Sequence, residues 1–506
     1  MSMSTHLRYA PLSFGLFFAL ILYSPSSAIA QAQSDSSSEV QQDDVARPCL
    51  LLPVGVSWNC FIALRTDAAL ARLNQSLPAP AVPGQTLVLD LNLTGKQEIF
   101  SGTRFSLDAD FVAKRSWNFK QRNILTGTTE TTTSGGGDNP SYRLGLNEAF
   151  IASEWVPEFQ FAVGKKRVLW GSGFASNPTD VLNPGKNVLD PTLERRGAWL
   201  LLLEYLREKD ALSFFIAPGV VEDKNTLPEK MFRYASPSGK EEFNHYLAGA
   251  RFYQLLGGAD VNLMVFRGNR YRDDMVASWK FGASWSQILT SISKQLEGHS
   301  EVRFQQGSSR ADPLMRSRLN DKSWHMSLLL GGRYDFDNES ALVVEFFRQT
   351  DGDSRGDLKT RVEYGLSLLR TAALISARRG LGSQGSLPAL PPAAENNSSA
   401  SQGETTRAVG QLGMQNYLFI NWQRYKINED LFLSWSAAHN LHDAGGFQGP
   451  SLQWTPTQST SLTLSANSDY SLLPDAGVVV ESIGRVQEIE LNPVRARVGL
   501  ELKAFF

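Results

Sequence analysis

The stretch VRARVGLELKAFF, Val494–Phe506, ends the chain and decides its fold class. Apolar side chains stand at every second position, and the residues between them are arginine, glycine, glutamate and lysine. Successive side chains of a β-strand point to opposite faces of a sheet, so a period of two sends the two sets to opposite sides. The stretch therefore predicts a long strand with one apolar face and one charged face.

The same alternation recurs upstream along much of the chain. It is clear in four stretches: Leu87–Leu93, Phe105–Ala113, Ala277–Trp285 and Trp324–Phe336. All four exceed the roughly 5–6 residues of an average strand in a soluble sheet. Three of them reach the roughly 9–11 residues that a tilted strand needs to cross a bilayer. The stretches therefore predict strands that span a membrane.

The connections between these stretches alternate in length. Short turns are predicted at Phe100–Thr103, Arg207–Asp210 and Gly257–Gly258, and long polar segments at Lys120–Ser141, Pro218–Asn244 and Arg378–Gln411. Short turns at one end and long loops at the other are typical of a transmembrane β-barrel. We predict an all-β fold, a transmembrane antiparallel β-barrel of roughly 16–20 strands with about 18 as the best value. The count does not close: either a strand before Gln85 is missing, with Val56–Leu64 as a candidate, or one hairpin is divided wrongly.

The N-terminal segment, residues 1–30, has the features of a cleaved signal peptide. Arg8 precedes the apolar run Leu12–Tyr23, and Ala28, Ile29 and Ala30 form a small-residue cleavage site. The run is shorter than the roughly 20 residues of a transmembrane helix, which is the alternative interpretation. We therefore expect export and divide the rest of the chain into a leader, residues 31–84, and a barrel, residues 85–506.

The leader is predicted to be flexible and periplasmic. Gln31–Pro48 is polar and acidic, and the two cysteines, Cys49 and Cys60, follow it. In an oxidising compartment such a pair favours a disulfide. Thr66–Leu77 has helix-like spacing, so the segment after Cys49 is either a linker or a small plug inside the barrel.

Composition argues against several classes of function. The formal net charge of -2 gives no reason to expect a nucleic-acid partner. Six histidines and two cysteines offer little material for a metal cluster, so we expect no metal and no cofactor. No catalytic constellation stands out. His325 close to Ser327 leaves a membrane hydrolase as an alternative, but we expect no enzymatic activity.

The final strand and the signal peptide together resemble those of bacterial outer-membrane barrels. In that class a terminal aromatic residue, here Phe506, follows apolar residues at alternate positions and is read by the barrel-assembly machinery. The resemblance implies the outer membrane of a Gram-negative cell as the location. It also implies two partners, outer-membrane lipid and the assembly machinery, and makes Phe506 an assembly signal.

The most distinctive segment is GKKRVLWGSGFASNPTDVLNPGKNVLDPTLERRG, Gly164–Gly197. Its Asn-Pro and Asp-Pro pairs favour turns and its glycines permit a tight backbone, so we expect an ordered loop. W-G-x-G followed by N-P-x-D-x-x-N-P resembles a strand and loop of alginate-export-like porins. Folded into the lumen, the loop would constrict a pore; the alternative is a cap at the surface. The candidate constriction residues in it are Lys165, Lys166, Arg167, Trp170, Asp180, Asp190, Glu194, Arg195 and Arg196.

Three further candidates lie on strands whose alternate positions face the lumen: Lys280, Arg333 and Glu345. They belong to an inward row of mixed charge, whose other members include Glu301, Arg303, Lys359 and Glu363. A lumen of mixed charge suits hydrated polar solutes better than one type of ion. The expected function is a porin-like channel for polar solutes, with sugars or an anionic polysaccharide as candidates. The alternatives are a scaffold or surface-attachment barrel with a closed lumen, and the hydrolase.

Overall fold

A computed structural model describes most of the barrel region of the chain. The described residues are 56–71, 83–118, 121–122, 129–130, 141–183, 197–218, 234–235, 241–242, 246–268, 279–307, 323–360, 363, 414–472, 478–480, 484–486 and 494–505. All described residues belong to one compact unit, residues 46–506. Residues 1–45 lie outside the described residues, so the signal peptide stays a prediction.

The described part of the chain is almost entirely β-structure. Its strands are β1 (Val56–Ala71), β2 (Pro83–Phe100), β3 (Thr103–Asn118), β4 (Gln121–Arg122), β5 (Thr129–Glu130), β6 (Ser141–Val156), β7 (Phe159–Lys166), β8 (Ala198–Leu206), β9 (Asp210–Pro218), β10 (Tyr234–Ala235), β11 (Glu241–Glu242), β12 (Tyr246–Leu256), β13 (Ala259–Gly268), β14 (Trp279–Ile288), β15 (Leu296–Gln306), β16 (Trp324–Asp335), β17 (Ala341–Gln349), β18 (Asn416–Lys426), β19 (Leu431–Asn440), β20 (Gly445–Thr457), β21 (Thr460–Ser471), β22 (Val478–Val480), β23 (Gly484–Val486) and β24 (Val494–Phe505). Three short pairs, β4–β5, β10–β11 and β22–β23, stand apart from the main sheet.

The other strands form one 18-stranded antiparallel sheet. Each strand pairs with its neighbours in chain order, and β24 pairs with β1. That last register runs from Phe61 opposite Phe505 to Leu70 opposite Ala496. It closes the sheet on itself, so the barrel wall has no free strand edge. The prediction of a closed antiparallel barrel, with 18 strands as the best value, is confirmed.

β1 corrects the predicted division of the chain. The sequence placed residues 31–84 in a flexible leader, with helix-like spacing at Thr66–Leu77. Residues 56–71 instead form a strand of the barrel wall, paired with β2 on one side and β24 on the other. The alanine-rich end of β1 alternates weakly, and its two partner strands supply the hydrogen bonds that make it a strand. The barrel therefore begins at Val56, with the strand that the sequence count lacked.

The two ends of the barrel differ in their connections. At one end, here called the short-turn end, hairpins close within a few residues, as at Ser101–Gly102 and Gly257–Gly258. At the other end, the long-connection end, most strands are joined by longer segments, such as residues 350–415 between β17 and β18, whereas residues 441–444 alone join β19 to β20. The order of connections predicted from the sequence is therefore found in the structure.

The two faces of the barrel wall have opposite chemistry. Along β13, Leu263 on the outer face is half exposed, whereas Asn262 and Met264 on the inner face are buried. Similar alternation on other strands places a belt of exposed apolar side chains around the barrel. Within the described residues, no helix is long and apolar enough to cross a membrane.

Two residues of the predicted inward row lie elsewhere. Lys359 and Glu363 follow β17 in a helical segment that begins at residue 355, and their side chains pair at 3.7 Å. They are four positions apart, a spacing at which charged side chains meet on one face of a helix. Their assignment to a wall strand is therefore wrong.

Candidate functional site

The segment after β7 leaves the wall and enters the barrel. Gly164, close to the end of β7, has a φ angle of 129°, which an L side chain rarely adopts. A Cβ at this position would lie 2.3 Å from the carbonyl oxygen of Ala149 on β6. The residues that follow, 167–183, bond to side chains on the inner face of the wall, and we call them the inner loop. These residues of the loop predicted to be ordered therefore lie inside the barrel.

One anchor of the inner loop is the carboxylate of Glu301 on β15. Its side chain is buried, with 1% of the residue surface exposed. The backbone N–H of Gly173 donates to Oε1 at 2.6 Å. The backbone N–H and the hydroxyl of Thr179 donate to Oε2 at 3.0 Å and 2.7 Å. An ionised carboxylate only accepts hydrogen bonds, so it matches a loop that presents several donors.

The second anchor is the fully buried carboxylate of Glu345 on β17. The backbone N–H groups of Phe174 and Ala175 donate to Oε1 and Oε2 at 2.5 Å and 2.7 Å. Nε2 of His299 on β15 lies 2.8 Å from Oε1. Glu345, predicted as a selectivity residue facing the lumen, therefore lies beneath the loop and holds it in place.

Two glycines let the loop approach these carboxylates. A Cβ on Gly171 would lie 2.8 Å from Oε1 of Glu301. A Cβ on Gly173 would lie 2.0 Å from the carbonyl oxygen of Ser176 and 2.6 Å from Cδ2 of Leu329 on β16. All three separations are shorter than van der Waals contact allows. The W-G-x-G sequence therefore meets a packing requirement at both of its glycines.

The underside of the inner loop is apolar. Trp170 is 4% exposed and packs against Phe215 and Phe266, with ring centroids 5.4 Å and 6.3 Å away. Val168 and Leu182 are buried in the same cluster. Each Å² of apolar surface removed from water stabilises the docked loop by roughly 25 cal/mol. Trp170 was predicted to line a constriction, but its buried ring seats the loop on the wall.

The described contacts of the inner loop fall on one continuous part of the wall. Its apolar underside contacts β8, β9, β12 and β13, and its anchors are on β15 and β17. Arg167, the first residue of the loop, also contacts Asp108 on β3 and Glu148 on β6. The contacted strands therefore lie within one continuous part of the sheet, from β3 to β17.

The basic residues at the start of the loop contact the wall. Arg167 donates its backbone N–H to Oε1 of Glu148 at 2.6 Å, and its guanidinium lies 3.5 Å from Oδ2 of Asp108. The ammonium of Lys166 lies 5.4 Å from the ring centroid of Phe150. The predicted basic side of a constriction is thus partly neutralised by acids on β3 and β6.

Lys165 and Asp180 have local partners. Lys165, near the end of β7, donates to the backbone carbonyl of Leu146. Asp180 accepts from the backbone N–H of Asn183 at 3.1 Å and from its side-chain amide at 3.0 Å. The same amide donates to the carbonyl of Val168 at 2.5 Å, which ties the two described ends of the loop together. Asp180 therefore shapes a turn of the loop.

Two of the remaining predicted site residues lie on the described wall. Lys280 is buried on the inner face of β14. Arg333 on β16 is partly exposed, and its Nε donates to Oδ1 of Asp335 at 2.8 Å near the short-turn end. Cys60 lies on β1, and its predicted disulfide stays a prediction because Cys49 is not described. Outside the described residues lie Asp190, Glu194, Arg195, Arg196, Phe506 and Cys49.

Sequence reasoning missed an arginine beneath the loop. The guanidinium of Arg251 on β12 lies 5.6 Å from the ring of Trp170 and 5.3 Å from that of Tyr253. Its Nε donates to Asn262 at 2.8 Å, and the Tyr253 hydroxyl donates to Asp260 at 2.5 Å. Trp170 and Arg251 are distant in sequence and belong to no common motif. No signal in the sequence could have found their contact.

The part of the wall from β24 through β1 to β2, which the described loop residues do not contact, is polar and carries both signs of charge. Arg65 on β1 forms an ion pair with Glu501 on β24, and both side chains are partly exposed. Asn92 on β2 donates to Asp108 on β3 at 3.0 Å. The interior that the inner loop leaves uncovered is therefore lined by hydrogen-bonding groups, as the alternation predicted.

Comparison with known proteins finds likeness among solved structures. No family model matches the chain, and no curated protein matches it. The crystal structure of Acinetobacter baumannii OccAB3 is 10% identical with a TM-score of 0.44, covering 89% of this chain and 99% of that chain. Pseudomonas aeruginosa OpdK, solved with vanillate, is 8% identical with a TM-score of 0.45, covering 89% and 98%. A BenF-like porin from Pseudomonas fluorescens Pf-5 is 10% identical with a TM-score of 0.45, covering 89% and 98%. The barrel assignment rests on the closed 18-stranded ladder, which agrees with the porin-like resemblance of the sequence.

Proposed function

We propose that the chain is a porin-like channel of a Gram-negative outer membrane that passes small polar solutes. The observation that carries the proposal is the inner loop, which Glu301 and Glu345 hold inside a polar interior. The described contacts of the loop reach β3 to β17 and leave the other seven wall strands uncovered, so the loop narrows the lumen without filling it. In a closed barrel the backbone groups of every strand pair with neighbouring strands, as lipid requires.

The dimensions of the barrel support a passage for water. Eighteen strands about 4.8 Å apart, tilted by about 40°, give a wall radius of about 18 Å. Wall side chains and the inner loop occupy part of this cross-section. Barrels of roughly 16–18 strands generally enclose an aqueous channel. We place the passage between the inner loop and the strands that it does not contact.

The groups near this passage favour hydrated, uncharged or mixed-charge solutes. Arg65 pairs with Glu501, and Arg167 lies beside Asp108, so neither sign dominates. Side chains that both donate and accept hydrogen bonds replace part of a solute's hydration shell. Sugars fit this chemistry. An anionic polysaccharide would instead depend on the arginines.

Orientation follows from the two ends of the barrel. Bacterial barrels place short turns in the periplasm and long loops outside the cell. β1 begins and β24 ends at the short-turn end, so a leader before β1 would lie in the periplasm. The inner loop belongs to the connection between β7 and β8, at the long-connection end. Solutes that enter the barrel from outside the cell would therefore meet it.

The test is single-channel conductance of the refolded protein in a planar bilayer. Stable ohmic steps are expected. Replacing residues 171–196 by a short Gly/Ser turn should raise the step size, because the loop no longer narrows the lumen. A matched control shortens the connection 308–322 between β15 and β16, at the same end of the barrel, and should leave the step size unchanged.

Each outcome separates the channel from its rivals. A silent bilayer, from protein shown to be folded by heat-modifiable gel mobility, would overturn the channel and indicate a scaffold with a closed lumen. Steps of equal size from the protein with and without residues 171–196 would keep the channel but reject the inner loop as its constriction. Block by neutral and anionic oligosaccharides would then rank the solutes.

A further inference from the structure

Arg267 lies on the outer face of the barrel, where most large side chains are apolar. It is exposed near the end of β13, on the same face as Leu263 and Val265. In the register with β14 it stands directly opposite Trp279, which is 41% exposed. The preceding residue, Phe266, is buried on the inner face. Arg267 therefore points away from the lumen and towards the surroundings of the barrel.

The position of Arg267 along its strand places it at the edge of the membrane. β12 and β13 turn at Gly257–Gly258, at the short-turn end, and Arg267 lies at the opposite end of β13. A rise of about 3.3 Å per residue and a tilt of about 40° put it roughly 20 Å above Ala259. The apolar band of such barrels is about 25 Å tall. Arg267, opposite the first residue of β14, therefore lies near the long-connection edge of this band.

The described residues offer Arg267 no carboxylate. Arg267 instead contacts the ring of Trp279, whose centroid lies 5.3 Å from the guanidinium carbon. A tryptophan ring attracts the cation but offers no charged oxygen to its five N–H donors. A cation that faces lipid needs a counter-charge to be favourable. An anionic headgroup in the same leaflet supplies one.

Trp279 belongs to a line of three rings on the outer face. The ring of Phe281, on the same strand, lies 6.2 Å from that of Trp279. Trp324 on β16 is 53% exposed, and its ring lies 5.9 Å from that of Phe281. Aromatic side chains favour this level because one edge is dry and the other wet. Flat aromatic surfaces also pack against the C–H faces of sugar rings.

We propose that Arg267 and this aromatic line bind the phosphorylated sugar headgroup of an outer-leaflet glycolipid. One phosphate lies on the donor edge of the guanidinium, which matches phosphate oxygens through two parallel N–H bonds. A sugar ring of the same headgroup packs on Trp279 and Trp324. The outer leaflet of a Gram-negative outer membrane consists of such a glycolipid. The site is independent of transport and would be present in an open or a closed barrel.

The experiment measures binding of diphosphoryl lipid A to the refolded full-length barrel by native mass spectrometry in detergent. Arg267→Gln should weaken binding by about five- to tenfold, the effect expected for one charge-assisted contact at an exposed site. The matched control is Arg424→Gln. Arg424, near the short-turn end, is exposed and lies 4.9 Å from the ring of Phe432. The control removes the same charge and a similar stacking contact, and should change binding by less than about twofold.

Further probes separate the proposed ligand from general attraction to a cation. Lipid A without its phosphates should bind the protein and Arg267→Gln equally. Phosphatidylglycerol and inorganic phosphate should compete poorly with lipid A. Trp279→Ala, with its fold confirmed by heat-modifiable gel mobility, should weaken binding as well. Unchanged binding in Arg267→Gln, an equal loss in Arg424→Gln, or competition by phosphatidylglycerol at the same concentration as lipid A would each overturn the proposal.

Discussion

Replacing Glu345 by glutamine should loosen one anchor of the inner loop. The carboxylate accepts from the N–H groups of Phe174 and Ala175, and His299 contacts the same oxygen as Phe174. A glutamine offers one acceptor oxygen, and its amide nitrogen would face a backbone donor. One of the two N–H groups would therefore lose its partner in a buried position.

The size of the effect follows from these bonds. A hydrogen bond to a charged group contributes about 1.5–3 kcal/mol, and a buried donor without a partner costs about 1–3 kcal/mol. We expect Glu345→Gln to reduce the free-energy difference that favours the docked loop over a displaced loop by about 2–4 kcal/mol. That change shifts the equilibrium between the two by roughly 30- to 1,000-fold. Glu301→Gln should act in the same direction, because Glu301 accepts from Gly173 and Thr179.

Single-channel recordings check this prediction. The wild-type protein should show one main conductance level, whereas Glu345→Gln should add larger or fluctuating conductance levels. The double variant, with Glu301→Gln and Glu345→Gln, should show these added levels most often. The control is Glu501→Gln, which removes the same charge from a lumen carboxylate that pairs with Arg65 on the wall. If Glu345→Gln and Glu501→Gln gave the same traces, charge alone would explain the change, and the anchoring of the loop would be refuted.

Three other outcomes are expected. Deleting Phe506 should lower the amount of barrel in the outer membrane, because the alternating row loses its terminal aromatic; normal levels would contradict its role in assembly. Gly173→Val should disturb the loop by about 1–3 kcal/mol, since its Cβ would lie 2.0 Å from a backbone oxygen; an unchanged conductance pattern would contradict this packing. Burial lowers the pKa of His442 from its ordinary value of 6.5, two nearby arginines add to the effect, and Asp443 opposes it. The neutral ring is thus favoured in the fold, so the contribution of His442 to the stability of the turn falls as the pH drops through 6.5 and is lost below the lowered pKa. Hydrogen exchange at residues 441–445, corrected for intrinsic rates, should accelerate over this range in the wild type and not in His442→Gln.

The wall strands could be predicted because a membrane imposes one pattern on each of them. A side chain that faces lipid is apolar, and its two neighbours in sequence face the interior, so the period of two survives along β13, β14 and β16. Turns could be predicted where the backbone needs glycine. Gly257 and Gly258 have φ angles of 59° and 85°, which glycine adopts at little cost.

The bounds of β1 could not be predicted as well as those of the other wall strands, because one of its two partner strands, β24, is remote in sequence. Arg65 on β1 bonds to Glu501, 436 positions away along the chain. The run of alanines after Thr66 fits a helix as well as a strand when read alone. Pairing on both sides decides between the two, because only the strand satisfies the backbone groups of β2 and β24.

The candidate site divides in the same way. The ordered loop could be predicted from its Asn-Pro pairs and glycines, but the residues expected to line a pore were chosen by their charge and position in the sequence. The structure shows Trp170 buried under the loop and Glu345 beneath its backbone. Glu301 appeared in the inward row, yet nothing marked it as an anchor, because its donors lie on a segment that is remote in sequence.

The sequence by itself determined the barrel, its alternation and the order of its short and long connections. These properties are local: each depends on residues within one strand or one turn. Only the tertiary structure decided where β1 pairs, which way the inner loop folds and which wall carboxylates hold it. Those properties depend on atoms that lie far apart along the chain and meet when the sheet closes, so no period or motif of one segment carries them.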